Sequence, residues 1–386
     1  MELTIIYVTT ALLLGLFAKN NNFVNFFLIV ALYLLFAFEH SDQDYLNYVS
    51  SYNSVGTSAV FELLGYEPSF FLFCIIGNNL SLSFGTARAF VCVLEVLAIV
   101  TSVKIFTPQI ACVISLFLIF PATADAELFR WLAGMCLVIY AFPYLIRKES
   151  KWDYVLYSVL VIFATLIHTS CIFFLFYNLM CFGSKKRIFV IVITTFVVLS
   201  ATAQTNLLYK VLAVLPVQDS LNDKFQQTNH SNIFGQLSIV IRELFVFIMG
   251  YIASVKYRKL NTSITFLDNK ASVNRAKYSQ RQMGVLLCER LWHINIISVL
   301  LIAIAIYTPQ VQRLFHVLLF LNSIAIVFVS KHLKNKSLIF VAIICVMMTL
   351  ILHINSGPQN LEIFMSHFNE GFLINCIDVL FHGAEL

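Results

Sequence analysis

The chain has 386 residues, of which 60% are hydrophobic and 12% charged, against about 45–50% apolar and about 25% charged in soluble domains. A water-soluble globule must cover itself mainly with polar groups, so this composition excludes one and makes lipid the expected solvent. The net charge of +5 is local: between Lys256 and Arg290 stand eight bases against two acids, a bias that marks a cytoplasmic flank of membrane spans rather than a nucleic-acid surface.

In chain order, an apolar run at 3–18 lacks a preceding basic residue and a small-residue cleavage site, and reads as a retained span. A second run, 23–38, leads into a stretch, 39–69, that carries Glu39, Asp42, Asp44, Glu62 and Glu67, with neither Lys nor Arg between Lys19 and Arg88. It is expected as an outer loop. The run 70–80 is short and ends in Gly77, Asn78 and Asn79. It reads as a re-entrant segment, which requires protein or a wet cavity to satisfy its backbone. Further runs follow at 87–106, 110–124, 128–146, 152–167, 171–182, 188–203, 237–255, 291–307, 314–330 and 338–352. Their lengths approach the roughly 20 residues a helix needs to cross lipid, and strand alternation is absent.

Placing Arg147, Lys148 and Lys151, then Lys185, Lys186 and Arg187, then the basic loop 256–290, then Lys331, Lys334 and Lys336 on the cytoplasmic side gives one alternating path. The expected architecture is all-α, a single polytopic domain of about 12 transmembrane helices. Its links near 125–130 and 168, and a long loop at 204–236, lie outside, and its tail at 355–386 is acidic. The nine Cys stand singly, without the clustered spacing of a metal or disulfide framework. No phosphate-cradling glycine loop and no HExxH is present, so no metal and no cofactor are expected.

Ionisable groups at span ends are the candidates for chemistry, because lipid makes them costly. Arg130 opens a span at the outer side, where its guanidinium can hold phosphate in bidentate fashion; a snorkelling interfacial Arg beside Trp131 is the plain alternative. Arg88 stands seven residues before Glu95, which suits either an ion pair or a ligand contact. His168 ends a span as a hydrogen-bonding or titrating group or as a structural residue. Arg242 opens the span after the longest outer loop, as a second positive group or an anchor. Tyr45, Tyr48 and Tyr52, spaced by three and four beside Asp44, suit stacking on sugar rings or an interfacial aromatic belt.

Asp44-Tyr45 with Tyr48 and Tyr52, then Tyr66-Glu67-Pro68, then Arg130-Trp131-Leu132-Ala133, then Ile167-His168-Thr169-Ser170 follow an order and spacing that resembles the EpsG-like branch of the Wzy O-antigen and exopolysaccharide polymerases. The resemblance covers about the first 180 residues. Where the family has Gln after the motif's Arg, this chain has Trp131. The resemblance implies a GT-C-like, metal-independent glycosyltransferase at the outer face of a bacterial inner membrane. Its partners would be undecaprenyl-diphosphate-linked oligosaccharides, membrane lipid and a chain-length regulator, with no nucleic acid. Arg130, with Arg242 and Arg88 behind it, would stabilise the departing diphosphate, and Asp44, Glu67 and His168 stand as unranked candidates for the base. A lipid-linked oligosaccharide flippase is the alternative, set against by the absence of internal repeats and of mid-membrane charge. A membrane O-acyltransferase is a third reading, weakened because acyl-CoA arrives from the cytoplasm whereas His168 is expected outside.

Overall fold

A computed structural model describes residues 2–17, 21–39, 43–55, 67–147, 150–204, 233–264, 280–307 and 312–355. All regular elements among them are helical. They are α1 (Glu2–Phe17), α2 (Asn22–Phe38), α3 (Gln43–Ser54), α4 (Pro68–Asn79), α5 (Phe84–Phe106), α6 (Ile110–Ile119), α7 (Ala122–Ala126), α8 (Phe129–Arg147), α9 (Lys151–Ile167), a 3-10 helix (Thr169–Phe182), α10 (Lys185–Gln204), α11 (Ile233–Ile264), α12 (Gln280–Tyr307), α13 (Leu314–Leu333) and α14 (Ser337–Ile354). Of the described helices, six contain a stretch long and apolar enough to cross a membrane: α5, α8, α11, α12, α13 and α14. The protein is a polytopic, all-α membrane protein. Among the other segments expected as spans, α1, α2, α6, α9 and the 3-10 helix are each 10 to 17 residues long.

Local chemistry sets these boundaries. The Asn21 side chain accepts from Phe23 N at 2.9 Å to open α2, and Ser83 caps α5 through Thr86 N. Ser150 and Asp153 form a capping box at α9, and Arg147 closes on the same carboxylate at 2.6 Å. The 3-10 helix ends at Gly183, whose φ of 72° costs a residue without Cβ little. At about 2.0 Å rise per residue, its 14 residues reach about 28 Å, close to the about 26 Å of the 17-residue α9 against which it packs. Tyr157 Oη donates to Phe174 O at 2.9 Å across that pair.

The run expected as one span at 110–124 is broken. It splits after Phe120 into α6 and the short α7, with every residue of α6 buried. A break is tolerated there because protein, not lipid, surrounds it. Helix α13 is the hub: every residue from Leu314 to Ser330 is buried, and it packs against α5, α6, α8, α11, α12 and α14. Polar side chains join the helices, as in the Asn295–Asn322 pair at 3.2 Å and Ser115 Oγ donating to Ala11 O at 2.7 Å.

Hydrogen bonds define two ends of the bundle. At one, Gln280 reaches Lys104 O, Arg290 reaches Leu145 O at 2.8 Å, and Tyr257 donates to Glu289 at 3.1 Å. The ends of α5, α8 and α11 therefore meet α12 among Lys104, Arg147, Arg281 and Arg290. At the other end lie Glu39, Glu67, Arg88, Asp125, Arg130, His168, Arg242 and His353. Both ends of α4 lie here: Glu67 meets Arg130 and His168, and Asn78 donates to Tyr52 O at 2.8 Å. A 12-residue helix is only about 18 Å long, too short to cross lipid.

The expected loop 39–69 contains α3, and the basic segment 256–290 is partly helical, belonging to the ends of α11 and α12. Residues 40–42, 56–66, 205–232, 265–279 and 356–386 lie outside the described part, and with them fall Glu62, Tyr66, most of the 204–236 loop and the acidic tail.

Arg88 ties this end together. At 1% exposure it donates through Nη1 to Glu39 O and through Nη2 to Ala126 O at 2.7 Å, closing α2 and α7 onto α5. It is spent on backbone carbonyls rather than on Glu95, and no open face is left for a ligand. Arg88→Ala strands two buried acceptors, at about 1–3 kcal/mol each. Thermal unfolding in detergent should drop accordingly, with Arg88→Lys intermediate.

Candidate active site

Three segments distant in sequence meet at the end opposite the basic flank. Glu67 caps the start of α4, where Pro68 fixes the first helical φ. Arg130 lies in the first turn of α8, and His168 is the link between α9 and the 3-10 helix. The Glu67 carboxylate joins them. Its Oε2 stands 2.9 Å from Arg130 Nη1, and its Oε1 stands 2.7 Å from His168 Nδ1 while accepting from Thr169 N at 3.1 Å and Thr169 Oγ1 at 3.3 Å. Gly134 lets α8 come close to this link: a Cβ there would stand 2.8 Å from Cys171 Sγ and 3.3 Å from the His168 Cβ.

Glu67 is 4% exposed. Burial pushes its carboxyl up, but His168, Arg130 and the Thr169 N–H outweigh that and hold it down at about 2. It is therefore ionised at neutral pH and a weak proton acceptor. Arg130 keeps 30% of its side chain exposed while its guanidinium lies over the Tyr48 ring at 5.2 Å and the Phe70 ring at 5.3 Å. One edge is fixed and another faces out, the arrangement of a preorganised anion-binding group. Asp44 is near enough for its charge to act on Tyr48.

The tyrosines are arranged differently from the sugar-stacking expectation. Spacings of three and four put their rings on one face of α3, and that face packs on α4 and α5. Tyr52 is 1% exposed and donates from Oη to Leu82 O at 2.8 Å, and Tyr48 is also buried. Tyr45, Tyr48 and Tyr52 all contact Phe84 at centroid distances of 5.5, 6.2 and 5.7 Å. They pack into an aromatic cluster rather than an open platform, with Tyr48 under Arg130 and Tyr45 under Arg88.

A second cluster adjoins the first through Trp131. Its Nε1 donates to Asp125 Oδ1 at 2.8 Å, and its ring meets His168 edge-on at 5.7 Å. The same Asp125 oxygen lies 2.7 Å from His316 Nδ1. Beyond it, Arg242 reaches His353 Nδ1 at 3.4 Å, Gln312 Oε1 at 2.7 Å and Glu243 at 3.5 Å. Arg242 is thus beside the first group but in this separate, buried cluster. Asp125, His316, Gln312 and His353 were not singled out from the sequence. His316 stands near the start of one apolar helix and His353 near the end of the next, and helix packing, not local spacing, brings them together.

The ionisation of Glu67 predicts a pH dependence. A carboxyl held below its usual range stabilises the fold fully above its ordinary value, and that stabilisation is lost as pH falls through the folded value of about 2. The wild type should lose up to about 3 kcal/mol between roughly pH 5 and 2. Glu67→Gln should unfold at a lower temperature at neutral pH and show a flatter acid profile, as measured by thermal unfolding in detergent.

No curated protein and no solved structure matches the chain. A family model described as the EpsG family matches residues 20–364, spanning both clusters, and the chain belongs to that family.

Proposed function

We propose that the protein is a polysaccharide polymerase of the inner membrane. It would transfer a growing glycan from undecaprenyl diphosphate to the non-reducing end of a new lipid-linked repeat unit at the outer face. The observation that carries this reading is Arg130: a guanidinium fixed by a buried carboxylate at 2.9 Å, bedded on two rings, and still 30% exposed at the end away from the basic flank. As the glycosidic C–O bond breaks, negative charge grows on the leaving diphosphate. A positive group already oriented for that charge lowers the barrier without reorganisation.

Family membership supports polymerase chemistry. Glu67 would position Arg130 and His168 rather than take a proton, and His168 would hydrogen-bond the diphosphate or a sugar hydroxyl. About twelve crossings would follow if α6 and α7 together make one broken crossing and α3 and α4 stay at the outer end, in a GT-C-like arrangement. A groove of about 300 Å³ between α11 and α12, lined by Leu244, Phe247, Tyr251, Trp292 and Val299, starts two residues beyond Arg242 and suits a polyprenyl tail. The flippase reading draws no comparable support, because the clustered charges of both groups stand at one end of the bundle.

Arg130→Ala should abolish the long-chain polysaccharide ladder in cells while leaving single-repeat product, with protein abundance measured in parallel because the buried Glu67 loses a partner. Arg130→Lys, which keeps the charge but loses the fork, should retain a small fraction of chain growth. A normal ladder from Arg130→Ala at normal abundance would remove this residue from the reaction. With purified protein and lipid-linked repeat units, longer lipid-linked glycans are expected; movement across vesicles without elongation would instead identify a flippase.

A further inference from the structure

The polymerase reading leaves the attacking hydroxyl without a proton acceptor. Glu67 is held by Arg130, His168 and Thr169 and stays ionised down to about 2, and His168, whose Nδ1 meets that carboxylate, is the group assigned above to the diphosphate beside Arg130. A second carboxylate–imidazole pair lies beside this group, joined to it through Trp131. Asp125, on α7, is fully buried, and its Oδ1 takes both Trp131 Nε1 at 2.8 Å and His316 Nδ1 at 2.7 Å. A carboxylate only accepts, so the bond from His316 places the imidazole hydrogen on Nδ1 and the lone pair on Nε2.

Among the described residues nothing uses that lone pair: His316 Nε2 is buried and makes no hydrogen bond. Leaving a buried polar atom unsatisfied costs about 1–3 kcal/mol, and such atoms call for a reason. The ring itself is fixed: it packs edge-on against Phe120 at 4.9 Å and faces His353 at 6.4 Å. Trp131 connects it to the first cluster, touching His168 on its ring and sharing Asp125 with His316.

Resting on the polymerase reading, we propose that the buried Asp125–His316 pair supplies the proton acceptor, with His316 Nε2 taking the hydrogen of the attacking sugar hydroxyl. The hydroxyl oxygen forms the new bond to the anomeric carbon of the donor glycan. The bond from that carbon to the phosphate oxygen breaks, and its electron pair leaves with the polyprenyl diphosphate. The hydroxyl proton resides on Nε2, the imidazolium is balanced by the Asp125 carboxylate, and the proton then passes to the departing diphosphate. The groups facing His316 are Asp125 from α7, Arg242 from α11, His353 from α14 and Arg313 next to its own helix.

The test measures kcat and KM for elongation of polyprenyl-diphosphate-linked repeat units by the purified full chain. His316→Gln keeps an amide donor for Asp125 but has no titrating nitrogen. We expect kcat to fall about 10²- to 10⁴-fold with KM within a few-fold, and the acidic limb of kcat against pH to vanish while the unfolding temperature holds. Asp125→Asn keeps the size of the side chain and removes the carboxylate that fixes the tautomer, and should likewise lower kcat rather than raise KM. If His316→Gln loses stability, the decision passes to Asp125→Asn. Wild-type kcat and an intact acidic limb in a folded variant overturn the pair alone. A wild-type protein that elongates nothing overturns the polymerase reading and this inference with it.

Discussion

A carboxylate removed from water holds this end of the protein together. Glu67 is buried, and an unpaired charge at that depth would be strongly destabilising. Its position is tolerable only because Arg130, His168 and the first turn of the 3-10 helix all converge on it. The constraint runs in both directions: the ion needs those partners, and the partners are fixed in space by the ion. It brings α4, α8 and the link after α9 to one point. Arg130 is left with one edge committed and another open.

The surrounding structure serves that geometry. The rings of Tyr48 and Phe70 support the guanidinium from below, and Phe84 packs against Tyr45, Tyr48 and Tyr52. Arg88 fastens the ends of α2 and α7 to α5, holding the region that carries Asp125. Trp131 then ties Asp125 to His168, so the two clusters share one mechanical frame. The Trp131 indole N–H supplies the hydrogen bond that couples them. The 3-10 winding after His168 belongs to the same economy of length, since it lets a 14-residue segment run the height of α9.

Several features were legible because they depend on local chemistry or on the solvent. Composition dictated lipid and helical spans, and the run ending in Gly77, Asn78 and Asn79 dictated a short helix of 12 residues. Arg130 and His168 stood out as ionisable groups at span ends, and Glu67 entered through its place in a family-like motif. The break after Phe120 was not legible, because an apolar run carries no mark of whether its backbone will be satisfied by its own helix or by neighbours. The tyrosine face could be read from its spacing, but not what would cover it.

The sequence by itself determined a polytopic helical membrane protein with its polar groups sorted to one end, since hydropathy and charge act segment by segment. Tertiary structure decided which of those groups meet. The pairing of Glu67 with Arg130 and His168, and of Asp125 with His316, joins residues separated by tens to nearly two hundred positions. The physical reason is that an ion pair in low dielectric depends on a distance of a few ångströms, and helix packing, not chain order, sets that distance.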